Sequence, residues 1–165
     1  MLSQLKKITL LFVLAITIQS CGFSAIYGEY SELKQKLAAV SVKKIDFGKT
    51  GQEFQTELED LLNPTKADVA KTKYSLVIKL NKRRDALIIE QDREITRYNL
   101  ILAAEYKLID STTGNEISSG TEKVTGSYDA VESDFATFTV EEDTLKRVTK
   151  ELAKVIRQEV VGDLR

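Results

Sequence analysis

Every second residue from Tyr98 to Leu108 is apolar: Tyr98, Leu100, Leu102, Ala104, Tyr106 and Leu108. A period of two over that length is the pattern of a strand with one face in a core, and it cannot follow one side of a helix. The run continues to Asp110, where Asp110-Ser111-Thr112-Thr113-Gly114-Asn115 supplies turn residues. Glu116–Tyr128 is therefore expected to return as a hairpin partner, polar and exposed on one face.

The same reasoning extends in both directions. Tyr74, Leu76, Ile78 and Leu80 share one parity, with Val77, Lys79 and Asn81 on the other, so a strand begins at Tyr74. The basic cluster Lys82-Arg83-Arg84 follows, and Ala86–Ile89 resumes apolar character before a charged turn at Gln91–Glu94. Leu37–Phe47, with Val40, Val42 and Ile45, reads as a first strand. Thr50 and Glu53 have the spacing of a capping box, and Phe54, Leu58, Leu61 and Leu62 follow at helical intervals until Asn63-Pro64 stops the run. A second such box, Thr139 to Glu142, precedes Leu145, Val148, Leu152, Val155, Ile156 and Val160, one apolar stripe of a long terminal helix. The other face of that helix carries Lys146, Arg147, Lys150, Lys154 and Arg157. The expected order is β-α-β-β-β-α: an α+β domain with a mainly antiparallel four-stranded sheet and two helices packed on one face.

The amino terminus has a different character. Lys6 and Lys7 precede the apolar run Ile8–Ile18, whose helix would reach about 16 Å. That falls short of a bilayer core of roughly 30 Å, so an export signal is expected rather than a membrane span. Ile18-Gln19-Ser20-Cys21-Gly22 then resembles a bacterial lipobox, with an aliphatic residue three places before the cysteine and a small one next to it. On that reading the Cys21 thiol takes a diacylglycerol, cleavage falls before it, and the new amino terminus is acylated, which anchors far more firmly than one acyl chain. Gly22 in place of aspartate points to the outer membrane under the enterobacterial sorting rule. The alternatives are an ordinary signal peptide with a cysteine beside its cleavage site, or a cysteine buried in the core. The expected organisation is a lipoprotein signal peptide at 1–20, a lipidated tether at 21–36 and one α+β domain at 37–165.

Composition narrows the chemistry. The 165 residues include no histidine and one cysteine, which removes imidazole bases, Cys-His nucleophiles, His or Cys metal sites and any intramolecular disulfide. The carboxylates are scattered, and Glu141-Glu142-Asp143 at the start of a helix is accounted for by the helix dipole. No phosphate-cradling glycine motif is present. No catalytic residue, metal or cofactor is assigned. With a formal charge of −1 and aromatic residues that do not interleave with the cations, no nucleic-acid partner is expected.

One basic run stands out. Lys79, Lys82, Arg83 and Arg84 fall within six residues without an acid between them, and Arg93 and Arg97 follow near the next strand boundary. Gathered at one end of a sheet they would suit phosphate, since arginine offers a planar fork of donors and lysine a point charge. As a solvated loop interleaved with Asp85, Glu90, Asp92 and Glu94 they would bind nothing.

The opening Cys21-Gly22-Phe23-Ser24-Ala25-Ile26-Tyr27-Gly28 resembles the C-G-F-x-P-L-Y-G start of the lipopolysaccharide-assembly lipoprotein E family of alphaproteobacterial type, with Ala25 and Ile26 in place of proline and leucine. Val40–Leu62, Tyr98–Ile109, Gly126-Ser127-Tyr128, Phe135-Ala136 and the terminal helix are similar in layout. The resemblance implies a non-enzymatic outer-membrane lipoprotein on the periplasmic face. Such a protein plugs and helps assemble the β-barrel lipopolysaccharide translocon, one to one, and assists insertion into the outer leaflet. It also implies lipopolysaccharide as a partner, its phosphates met by Lys79, Lys82, Arg83, Arg84, Arg93 or Arg97. Competing readings are a periplasmic lipoprotein adaptor of a phospholipid transporter or of the outer-membrane protein assembly complex, and an envelope enzyme with clustered carboxylates.

Overall fold

A computed structural model describes residues 26–66, 72–89 and 95–165. The signal peptide, Cys21, Arg93 and the turn Gln91–Glu94 lie outside the described residues. Seven elements follow one another: α1 (Ile26–Ala38), β1 (Val40–Val42), α2 (Gly48–Leu62), β2 (Tyr74–Ile89), β3 (Ile95–Asp110), β4 (Glu116–Asp129) and α3 (Asp134–Asp163). The chain divides into two compact units, Met1–Glu32 and Leu33–Arg165, with the boundary inside α1.

The sheet has the order β1-β2-β3-β4. Its long strands are antiparallel, β2 to β3 from Tyr74 opposite Asp110 and β3 to β4 from Arg97 opposite Asp129. β1 runs parallel to β2, so the sheet is mixed. The expected architecture holds in outline and departs in three places. A third helix, α1, occupies the segment read as a tether. The first strand is not Leu37–Phe47 but three residues, because the chain turns at Ile45 and Phe47 into α2. The segment Lys82-Arg83-Arg84 does not interrupt a strand; β2 runs straight through it.

The period of two places the even residues of β2 and β3 in the core. Leu76, Leu100, Leu102 and Leu108 are fully buried there. Against them α3 sets Val148, Leu152, Ala153, Ile156 and Val160, and α2 sets Phe54, Leu58 and Leu62. α3 lies close to β4 because Gly126 has no side chain: a Cβ there would stand 2.7 Å from both Thr144 Cγ2 and Val148 Cγ1. A hydrogen bond also joins α3 to α2. Arg157 Nε donates to the Leu61 carbonyl oxygen at 3.1 Å, satisfying one of the last acceptors of α2. Lys36 Nζ of α1 donates to the Leu164 carbonyl oxygen at 3.0 Å, at the same C-terminal end of α3.

Neither expected capping box begins its helix. α2 starts at Gly48 after Phe47, which provides no side-chain cap, and Thr50 lies within it. α3 starts one and a half turns before Thr139, capped by Ser133, whose hydroxyl accepts from Ala136 N at 3.4 Å. Thr139 instead donates to the Phe135 carbonyl oxygen from inside the helix. The β3–β4 turn is as expected: Asp110 Oδ1 accepts from Thr112 N and Thr113 N at 2.7 and 3.0 Å, and Gly114 takes a φ of +74°.

Candidate functional site

Alternation along β2 divides the basic run between two faces. Lys82 and Arg84 share the parity of the core, while Lys79 and Arg83 point to the opposite, open face. Lys82 Nζ and Arg84 Nη1 meet Glu141 of α3, at 3.4 Å from Oε1 and 3.2 Å from Oε2. The Tyr128 hydroxyl donates to the same Oε2 at 2.7 Å. Arg84 also lies over the Tyr98 ring, 4.7 Å from its centroid, and Tyr98 stacks on Tyr128 at 5.5 Å. Three donors thus converge on one carboxylate whose side chain is 17% exposed. Burial raises the Glu141 pKa, but the Tyr128 hydroxyl, Lys82 and Arg84 together outweigh it and leave the carboxyl below its ordinary range.

This cluster fastens the start of α3 to the middle of the sheet. A folded-state pKa below the unfolded one gives stability that is present above the unfolded value and lost as pH falls through the folded value. Glu141→Gln is therefore expected to lower stability at pH 7 by about 1–2 kcal/mol, since Lys82 and Arg84 are partly exposed and screened. The deficit narrows as pH falls below the ordinary carboxylate range and the native carboxyl protonates. Urea unfolding of both proteins at each pH measures it.

The remaining candidates do not join the cluster. Arg83 Nη2 pairs with Asp85 at 2.9 Å, and Arg97 Nε pairs with Asp129 at 3.4 Å across the β3–β4 ladder. Lys79 stands opposite Glu105 in the β2–β3 register. Arg93 lies outside the described residues. The five described basic residues therefore do not form one phosphate seat, and the two that converge already hold an internal anion.

The open face is the larger feature. Val77, Lys79, Asn81 and Arg83 of β2 are exposed on it, as are Glu105 and Lys107 of β3. The alternate residues of β4 from Ser119 to Ser127 are exposed as well. Lys107 pairs with Glu116 at 3.2 Å, and Lys123 stands opposite Ala103, which is itself opposite Asn81. Sequence reasoning passed over Lys107 and Lys123. Their signal was parity: both fall on the strand side away from the apolar residues, the side that also carries Lys79 and Arg83. A shallow depression of about 430 Å³ lies among Val77, Lys79, Glu105, Lys107 and Thr121. A second cleft, about 450 Å³, between α2 and α3 is lined by Glu53, Glu57, Lys146 and Lys150. Among the described residues no group of three or more acidic or sulfur ligands is placed to hold a metal ion, and no helix is long and apolar enough to cross a membrane.

The family model LptE, lipopolysaccharide-assembly, matches residues 37–160. No curated protein sequence matches the chain. Among solved structures, a putative lipoprotein from Caulobacter crescentus is 21% identical with a TM-score of 0.64, over 81% of this chain and 96% of that one. The rare lipoprotein B of Shewanella oneidensis is 14% identical with a TM-score of 0.59, over 74% and 93%. A minor lipoprotein from Acinetobacter baumannii is 18% identical with a TM-score of 0.58, over 75% and 90%. At these identities the likeness is one of fold.

Proposed function

The chain belongs to the lipopolysaccharide-assembly family LptE, and we propose that within lipopolysaccharide assembly it is a non-enzymatic outer-membrane lipoprotein, anchored through Cys21 on the periplasmic face. It plugs the β-barrel lipopolysaccharide translocon in a one-to-one complex, helps that barrel to assemble, and assists lipopolysaccharide insertion into the outer leaflet. The observation that carries this reading is the open sheet face. It is broad, flat and polar, with Lys79, Arg83, Lys107 and Lys123 set among Glu105, Asp85 and small hydroxyl residues. A wide barrel lumen is polar, and a surface that mixes both charge signs without a large apolar area suits it. Direct contact with lipopolysaccharide phosphate then falls to Lys79, Arg83, Lys107 and Lys123 on this face. Lys82 and Arg84 serve Glu141 instead.

The test is recovery of partners with the tagged, membrane-bound protein in mild detergent, with Cys21→Ala as the control. The expected result is a large outer-membrane barrel in equal amount. In the control the protein leaves the membrane fraction and barrel recovery falls by about tenfold or more, because the acyl anchor is gone. An inner-membrane phospholipid transporter in place of the barrel would overturn the reading.

A further inference from the structure

The exposed apolar side chains are not spread evenly over the molecule. Phe135 is 79% exposed and Phe138 61%, three residues apart and so on one side of the first turns of α3. Val131, 48% exposed, lies just before them, and Leu87, 51% exposed, stands near the far end of β2. The register brings the Leu87 end of β2 and the exit of β4 to one end of the sheet: Ala86 is opposite Tyr98, Tyr98 is opposite Tyr128, and the chain leaves β4 at Asp129 toward Val131 and the start of α3. Burying two phenylalanines would contribute several kcal/mol, and this fold leaves them in water.

The backbone beneath them is fixed. Thr137 Oγ1 accepts from Val131 N at 3.0 Å and donates to the Val131 carbonyl oxygen at 3.1 Å. Ser133 caps the helix, and Thr137 N donates to the Ser133 carbonyl oxygen at 2.9 Å. Aromatic groups presented from a fixed backbone lose only side-chain freedom on binding, which suits them as interface anchors.

Charge selects the partner. From Val124 to Leu145 there is no lysine or arginine, while Asp129, Glu132, Asp134, Glu141, Glu142 and Asp143 all fall in that span. Asp129, Glu141 and Asp143 are paired within the protein, and of the other three Glu132 and Asp134 flank the phenylalanines while Glu142 lies a turn further along α3. An acidic rim is repelled by anionic lipid, and phenylalanine lacks the polar handle of the tryptophan and tyrosine that favour membrane interfaces. We infer that Phe135 and Phe138 are the anchors of a protein-docking surface whose partner offers an apolar socket bordered by lysine or arginine. This rests on the reading above and makes that partner the outer-membrane barrel, docked at the end of the sheet in addition to its open face.

The experiment compares full-length, tagged wild type with Phe135→Ser/Phe138→Ser and with Glu132→Lys/Asp134→Lys, each recovered from membranes, with the barrel identified and quantified by mass spectrometry. The expected result is a loss of barrel of at least about tenfold for the phenylalanine variant, as for two central anchors. The charge variant loses several-fold, more at low salt than at high salt. Thermal unfolding of both variants stays within a few degrees of wild type, because all four residues are exposed. Equal barrel recovery by wild type and the phenylalanine variant would overturn the docking surface and leave the translocon reading standing. Failure of the wild type itself to recover a barrel would overturn both. Flotation of the full Cys21→Ser chain with phosphatidylglycerol vesicles, if lost on adding the phenylalanine substitutions, would assign the patch to lipid and overturn the inference.

Discussion

Phe54→Ala is expected to remove about 3–5 kcal/mol of stability, the range for truncating a large buried aromatic side chain. Phe54 is fully buried on the face of α2 that also carries Gly51, Leu58 and Leu62. The site cannot collapse to fill the space. One turn earlier Gly51 is already pressed so closely against the loop that a Cβ there would stand 2.8 Å from the Ile45 carbonyl oxygen. On the other side the Arg157 bond to the Leu61 carbonyl holds α2 against α3. A small domain has about 5–15 kcal/mol in all, so this one change takes a large share of it. Denaturant unfolding reads the effect as a lower midpoint with the slope preserved. A loss under about 1 kcal/mol would mean that α2 does not pack into the core.

The strands and the terminal helix were legible because their signals are local. Tyr98 to Leu108 alternates without a break, and every even member except the partly buried Tyr98 is in the core. The α3 stripe at Leu145, Val148, Leu152, Ile156 and Val160 is buried as its spacing requires, with Val155 only partly so. Thr144, Thr149 and Ala153 joined that face unannounced. Thr149 is made tolerable by donating its hydroxyl to the Leu145 carbonyl oxygen at 2.7 Å, a bond that its residue type alone does not reveal.

The misreadings have equally physical causes. α1 carries Ile26, Tyr30, Leu33 and Leu37 at helical spacing, a pattern that was passed over because Gly22 and Gly28 suggested a tether. The parallel pairing of β1 with β2 was implicit in the expected β-α-β order, since a helix between two adjacent strands carries the chain back to its starting end. The two T-x-x-E spacings were genuine residue patterns inside helices, where the threonine hydroxyl has other uses.

The basic run was misread for a longer-range reason. Charged residues in a row suggest a loop, yet Lys82 and Arg84 continue the parity of Leu80 because a carboxylate waits for them on α3, 57 to 59 residues further along the chain. Nothing local to β2 announces Glu141. The division of the run between two faces was nevertheless available from parity alone, and so were Lys107 and Lys123. The docking end was hidden as well, since Phe135 and Phe138 have the spacing of a buried helix face and only the tertiary structure leaves them uncovered.

The second large effect concerns the pathway itself. If this protein serves lipopolysaccharide assembly as a component of the translocon, its loss must stop the flow at the step it serves, whatever the state of the other components. The most direct measurement is the distribution of newly made lipopolysaccharide between inner and outer membrane fractions in cells depleted of the protein and then supplied with the wild-type chain. The expected result is accumulation in the inner membrane and a large loss at the cell surface. Both effects are reversed by the wild-type chain. Unchanged delivery to the surface in depleted cells would contradict the account.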